Sequence, residues 1–129
     1  VLRDALGERL HALSHITGGG VAANIARVLP EDLAVDVERG TWAPAPVFAT
    51  IGELGGVERH DLAQTFNMGV GMVAVVAGEA AEEAVATLEE RGLPAWVCGT
   101  VRQRDADELG DATAKGGAGG AVSLVGDYT

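Results

Sequence analysis

Three consecutive glycines, Gly18 to Gly20, constrain this chain more than any other feature of its sequence. They follow a short apolar run that ends in His15-Ile16, and they precede a segment with the apolar spacing of an amphipathic helix. Glycines let the backbone approach a ligand closely, and the first amides of a helix have no partners within the helix. The pattern fits an anion site and also fits a tight strand-to-helix turn, and both interpretations stay open.

Two polar residues flank the glycines and are candidates for the same site. Asn24 lies early in the predicted helix, where its amide would reach a ligand at the glycines. His15 is predicted to lie in the strand that leads to them, either as a pocket residue or as a hydrogen-bonded structural histidine. His11 would share a metal ion with His15 only on one continuous helix, and no cysteine or carboxylate completes the set. No metal site is therefore predicted.

The length and charge of the chain narrow the classes of function. With 129 residues, 47% of them hydrophobic, the chain is predicted to form one domain with a core. Its 19 acidic residues outnumber 9 basic ones, which argues against a nucleic-acid surface. No apolar run approaches the roughly 20 residues that cross a bilayer. The single cysteine, Cys98, cannot form an internal disulfide, so a cytoplasmic location is expected.

Apolar periodicity predicts a mixture of helices and strands. The predicted helices cover residues 2–12, 21–29, 47–54, 58–64 and 79–91, and the predicted strands cover 33–37, 68–76 and 95–101. Residues 68–101 are predicted to form a strand, helix, strand unit, with a right-handed crossover if its strands are parallel in one sheet. Asn67, Gly69 and Gly71 alternate along the first of these strands. We therefore expect them on one face, which is either open to a ligand or backbone or packed closely against a neighbouring helix.

The C-terminal part of the chain has a different composition. Residues 102–120 are rich in Asp, Ala and Gly and have almost no large apolar side chain, so they are predicted to form a flexible connector. Residues 121–129 are predicted to supply an edge strand and a tail. The folded domain is accordingly predicted to span residues 1–101.

Several sequence blocks resemble the C-terminal domain of aminoimidazole ribonucleotide (AIR) synthetase, also called phosphoribosylformylglycinamidine cyclo-ligase. The similarity runs in the same order from about residue 1 to residue 101. The blocks that carry it are His15–Gly20, Asn24-Ile25, Arg27–Pro30, Trp42, Pro46–Phe48, Gly56-Val57 and Thr65–Met72.

The resemblance implies an α/β domain, or an α+β one, with helices packed on one face of a sheet. It implies a contribution to purine biosynthesis, in which ATP activates the formyl oxygen of formylglycinamidine ribonucleotide and an internal nitrogen of the same substrate then attacks to close the imidazole ring, with release of ADP and phosphate. Most of the ATP and Mg²⁺ apparatus would belong to an N-terminal domain, and the full-length enzyme would be a homodimer. This chain would lack that N-terminal domain, and it would also lack the strand expected before the opening helix of its own domain. By itself it would be inactive.

The resemblance also implies roles for particular residues. The predicted contacts to the phosphate or to the ribonucleotide substrate are made by Gly18, Gly19, Gly20, Asn24 and Asn67. His15 is a weaker candidate for catalysis in the same cleft. The chain departs from its relatives at Val21-Ala22-Ala23, where they often have Leu, Pro and Glu, so no carboxylate role is expected at Ala23.

Two alternatives remain open at this stage. The first is another ATP-using enzyme of the wider superfamily, such as formylglycinamidine ribonucleotide synthetase, thiamine-monophosphate kinase or selenide water dikinase. The second is a non-catalytic scaffold that binds a small anion.

Overall fold

A computed structural model describes residues 1–114 and 116–129 of the chain. The described residues form five α-helices and five strands, with short 3₁₀ turns at Gly7–Arg9, Arg39–Thr41 and Gly78–Ala80. In chain order the elements are α1 (Leu2–Leu6), β1 (Leu10–His15), α2 (Gly20–Ala26), β2 (Leu33–Glu38), α3 (Pro46–Gly55), α4 (Arg59–Thr65), β3 (Met72–Val76), α5 (Ala81–Glu89), β4 (Gly99–Gln103) and β5 (Ala121–Val125).

The strands are divided between two sheets. β1 and β3 form an antiparallel pair in which Leu13 faces Ala74 and His15 faces Met72. The second sheet has the order β4-β2-β5, with β4 antiparallel and β5 parallel to the central β2. Helices combined with mixed sheets confirm the predicted fold class in its α+β form.

The main core lies around α2, all seven residues of which are buried. This helix packs against β5, α4 and β1. Burial on every side explains its composition, because small and apolar residues fill nearly every position from Gly20 to Ala26. A second, smaller core is formed where α1 packs against α5 through Leu6, Ala80 and Ala84.

The predicted helix over residues 2–12 is wrong beyond Leu6. The chain turns at Gly7, whose φ is +58°, and enters β1 at Leu10. In this strand His11, Leu13 and His15 are exposed and Ser14 is buried, as is Ile16 directly after the strand. The leucines also fit a helical repeat, but pairing with β3 favours the two-residue repeat of a strand.

The predicted strand, helix, strand unit over residues 68–101 is also wrong. β3 pairs with β1 and β4 pairs with β2, so the two strands belong to different sheets and no crossover joins them. The first strand begins only at Met72, because Met68 and Gly69 have φ values of +51° and +90°. Asn67, Gly69 and Gly71 therefore lie in a turn and do not share a strand face.

The segment predicted as a connector contributes to the sheet and to the core. β4 extends to Gln103, so the predicted boundary at residue 101 falls inside a strand. Ala114 is buried, and the amide of Gly120 donates to the carbonyls of Ala26 and Leu29 at 3.0 and 3.1 Å. Residue 115 lies outside the described residues, and the flexibility of residues 102–120 stays a prediction. β5 occupies the edge of the three-stranded sheet, as predicted for residues 121–125.

Candidate functional site

The three glycines lead from β1 into α2, and the structure gives a reason for glycine at two of the three positions, Gly19 and Gly20. A Cβ at Gly20 would overlap the carbonyl oxygen of Ala63, so this position lets α2 pack closely on α4. Gly19 has φ of +99°, a left-handed conformation that L-residues rarely adopt. A Cβ at Gly18 would meet no described atom within 4 Å. Gly18 and Gly19 are exposed, so they form the accessible part of the loop.

Asn24 lies directly beneath this loop and is completely buried. Its Nδ2 donates to the carbonyls of Gly20 at 2.7 Å, Thr17 at 3.2 Å and Gly18 at 3.4 Å. Its Oδ1 accepts a hydrogen bond from the Thr17 hydroxyl at 3.3 Å. Asn24 therefore shapes the loop from inside. Its predicted direct contact with a phosphate stays a prediction, one that the burial of the amide does not favour.

The turn at residues 67–71 lies next to the start of the glycine loop. The amide of Ile16 donates to the carbonyl of Gly71 at 3.0 Å, which places the turn beside the end of β1. Asn67 closes the turn itself, since its Oδ1 accepts from the Gly69 amide at 2.9 Å. His15 ends β1 with an exposed side chain. The structure thus brings His15 and the turn to the same end of the β1–β3 pair.

The Trp42 indole fixes this turn from the other side. Its Nε1 donates to the carbonyl of Met68 at 3.1 Å, and the indole is buried. The Trp42 ring also packs edge-on against Tyr128, with 5.2 Å between the ring centroids. Trp42, one of the residues on which the family resemblance rests, therefore holds this turn in place.

The described residues do not supply a metal centre. They contain no group of three or more His, Cys, Asp or Glu residues placed to hold an ion. Cys98 is no better suited to nucleophilic chemistry, because burial raises the pKa of its thiol and keeps the thiol protonated. At the glycine loop, this chain therefore offers a ligand backbone groups and hydrogen-bonding side chains.

A cavity of about 200 Å³ lies beside the loop. Three of its polar residues, Arg39, His60 and Gln64, were not predicted from the sequence. Arg39 follows β2 directly in an acidic chain, which is a weak signal, but nothing in the sequence indicates that it lies near residues 111 and 124. The lining residues are Gly19, Ala22, Arg39, His60, Ala63, Gln64, Asp111, Ala112 and Leu124.

Nothing in the described part of the chain forms a helix long and apolar enough to cross a bilayer.

Comparison with known proteins identifies the family. Residues 1–112 match the family model described as AIR synthase related protein, C-terminal domain. A Streptomyces fradiae protein, provisionally named a phosphoribosylformylglycinamidine cyclo-ligase, is 53% identical over 119 residues, which cover 92% of this chain and 61% of the relative. Cyclo-ligases of Shouchella clausii and Pseudothermotoga lettingae are 41% and 38% identical, over 78% and 76% of this chain but only 29% of each relative. The chain belongs to the family of AIR synthase related proteins and corresponds to their C-terminal domain.

Proposed function

We propose that this chain is the C-terminal part of an ATP-dependent ligase that cyclises formylglycinamidine ribonucleotide to aminoimidazole ribonucleotide. The observation that carries the proposal is the match to relatives named as cyclo-ligases over 76–92% of this chain. Because the chain spans only 29–61% of those relatives, the activity would belong to a longer protein.

The geometry of the glycine loop supports a phosphate-binding role within that enzyme. Gly18 and Gly19 are exposed and have no side chains, so an oxyanion can approach their backbone closely. The three carbonyls of the loop turn inward to Asn24, which leaves the outer side of the loop less crowded by acceptors. His15 and Asn67 would lie along the same wall of the cleft.

ATP and Mg²⁺ are assigned mainly to the N-terminal domain. Magnesium takes carboxylate and water oxygens, and the described residues offer no suitable cluster of carboxylates. A phosphoryl-transfer site needs both charge neutralisation and alignment of the substrate. This chain would help to align the substrate, while the N-terminal domain would provide the groups that neutralise the phosphate charge. The full-length enzyme would be a cytoplasmic homodimer.

Reconstitution with the N-terminal domain tests the proposal. Each part would be assayed alone and in a mixture for ATP-dependent formation of aminoimidazole ribonucleotide. We expect turnover only in the mixture. Turnover by this chain alone would contradict the division of labour, and turnover of thiamine monophosphate or selenide by the mixture would identify a different enzyme of the superfamily.

A valine substitution within the loop tests the role of the glycines. Gly18→Val places a branched side chain on the exposed side of the loop and should lower the activity of the mixture at least tenfold. Gly78→Val is the matched control, because a Cβ at Gly78 also meets no described atom within 4 Å. Equal activity of the two variants would show that the glycine loop is not part of the phosphate-binding site.

A further inference from the structure

Arg39 is a cation without an acidic partner among the described residues. Its guanidinium lies over the Tyr128 ring, 5.7 Å from the centroid, and no ion pair of the described residues includes it. Its Nε is buried and has no hydrogen-bond acceptor among those residues, and the same holds for the Tyr128 hydroxyl. Buried polar groups are normally satisfied, so the Nε of Arg39, a residue that also lines the cavity, indicates a place that suits an acceptor.

Two further polar side chains line the cavity with Arg39. His60 and Gln64 are one helical turn apart on α4, and 2.9 Å separates His60 Nε2 from Gln64 Nε2. The Gln64 amide also reaches the backbone carbonyl of Asp111 at 3.5 Å. Because an NH₂ group cannot accept, the Gln64 amide donates to His60 Nε2 as well as to the Asp111 carbonyl, and both of its N–H groups are used. The Arg39 guanidinium is therefore the main donor that this space offers to an oxyanion.

The cavity wall also contains a negatively charged group, which repels an anion that can only accept hydrogen bonds. Asp111 lines the wall, and its carboxylate accepts a hydrogen bond from the Leu124 amide. A carboxylate has about four lone-pair sites, so one amide does not exhaust it. A ligand that satisfies this cavity must accept hydrogen bonds from Arg39 and also donate one to Asp111.

Inorganic phosphate has this combination of properties. At neutral pH it carries negative oxygens together with at least one P–OH group, whereas sulfate and the dianions of phosphate monoesters have no proton to donate. The volume of about 200 Å³ is ample, since a single water needs only roughly 10–15 Å³ on the same kind of measure.

We propose that the cavity between Arg39, His60 and Asp111 binds inorganic phosphate and discriminates it from sulfate. Arg39 supplies the charge, and Asp111 supplies the selectivity by accepting the P–OH proton in a hydrogen bond. Leu124, which closes one side, lies beyond the 1–112 stretch that matches the family model. Gly19 also lines the cavity, so the site adjoins the glycine loop, but the proposed contacts are made by Arg39 and Asp111 and do not depend on the proposed ligase activity.

Calorimetric titration of the 129-residue chain tests this proposal. Sodium phosphate, sodium sulfate and ribose 5-phosphate would be titrated separately at equal ionic strength and neutral pH. We expect inorganic phosphate to bind at least tenfold more tightly than the other two. Arg39→Gln should weaken phosphate binding at least tenfold, while Arg91→Gln, which removes an exposed charge after α5, should leave it unchanged.

Two more variants separate selectivity from folding. Asp111→Asn keeps an oxygen for the Leu124 amide but replaces an acceptor by a donor, so it should bring the sulfate affinity to or above that for phosphate. Ala112→Leu fills the cavity without a change of charge and should abolish phosphate binding, while circular dichroism confirms that each variant is folded.

Other outcomes would overturn the site. Equal affinities of the unmodified chain for phosphate and sulfate would contradict the role of Asp111. Loss of phosphate binding in Gly18→Val, with Arg39→Gln unaffected, would move the phosphate to the glycine loop. The second result would support the proposed function while it removes this site, so the two proposals fail separately.

Discussion

At the scale of single residues, Asn24, a side chain predicted to contact a ligand, holds the glycine loop in place from beneath. It is fully buried and bonded to three backbone carbonyls, those of Thr17, Gly18 and Gly20. Asparagine suits this position because it combines two N–H donors with a carbonyl acceptor on a short side chain. Its nearness to the glycines is evident from the sequence, but the direction of its amide is not.

Replacement of Asn24 should destabilise the domain. Asn24→Ala leaves buried carbonyls without a donor and opens a small cavity, so we expect the free energy of unfolding to fall by roughly 2–4 kcal/mol. Asn67→Ala is the control, because Asn67 makes a single bond that closes a half-buried turn and should lower it by only about 1 kcal/mol. Urea unfolding followed by circular dichroism measures both. Equal losses would show that Asn24 has no special role in the loop.

The three glycines should differ sharply when each is replaced by alanine. Gly20→Ala forces a Cβ into the Ala63 carbonyl at a positive φ, and we expect a loss above about 3 kcal/mol or failure to fold. Gly18→Ala should change stability by less than about 1 kcal/mol, since the site has room for a methyl group. Thermal unfolding compares the two. A similar shift in both variants would contradict the assignment of Gly20 to packing.

At the scale of elements, the strands show what periodicity can and cannot predict. β2 and α3 to α5 were found near their predicted places, because their apolar spacing is unambiguous. Of β1, only the end at His15 was predicted as a strand, because Leu6, Leu10 and Leu13 also fit a helical repeat. The pairing of β3 with β1 and of β4 with β2 was not predictable, because partners distant in sequence choose the register.

An ion-pair network links β2, β4 and the segment that follows β4. Arg102 of β4 donates to Asp36 of β2 at 3.1 Å and to both carboxylate oxygens of Glu108, at 2.7 and 2.9 Å. The Arg102 guanidinium, together with the Asp105 amide, lowers the pKa of Glu108 from its ordinary value of 4.5 to about 2. The contacts reciprocally raise the pKa of Arg102.

This network predicts a pH dependence of stability with a definite sign. Because the folded state lowers the pKa of Glu108, its contribution is complete above about pH 4.5 and disappears as the pH falls towards 2. Glu108→Gln should therefore have a lower melting temperature than the unmodified chain at pH 7, and the gap should close between these two pH values. Glu82→Gln, on the exposed side of α5, is the control and should show no such closing gap. A gap that stays constant down to pH 2 would contradict the network.

At the scale of the whole molecule, the C-terminal tail completes the domain. The family match ends at residue 112, yet Ala121 and Val122 of β5 are 1% and 0% exposed. β5 runs parallel to β2, and Tyr128, beyond the end of β5, packs edge-on against Trp42. Parallel neighbours in a sheet are usually distant in sequence, so this closure does not follow from local pattern.

Truncation tests the contribution of the tail. A chain of residues 1–120 loses β5 and exposes β2 and α2, so we expect it to lose its cooperative urea transition. A chain of residues 1–126 loses only Asp127, Tyr128 and Thr129 and should keep that transition at a lower midpoint. An unchanged midpoint for residues 1–120 would show that β5 is dispensable.

The sequence by itself determined the family, the mixed α and β character and the position of the glycine loop, because these depend on residue order and local spacing. The tertiary structure decided that Gly20 serves packing, that Asn24 lies beneath the loop, and that residues 39, 60, 64 and 111 surround one cavity. Each of these depends on contacts between segments far apart in the chain. Such contacts depend on how the whole core packs, and a local sequence pattern contains no information about that packing.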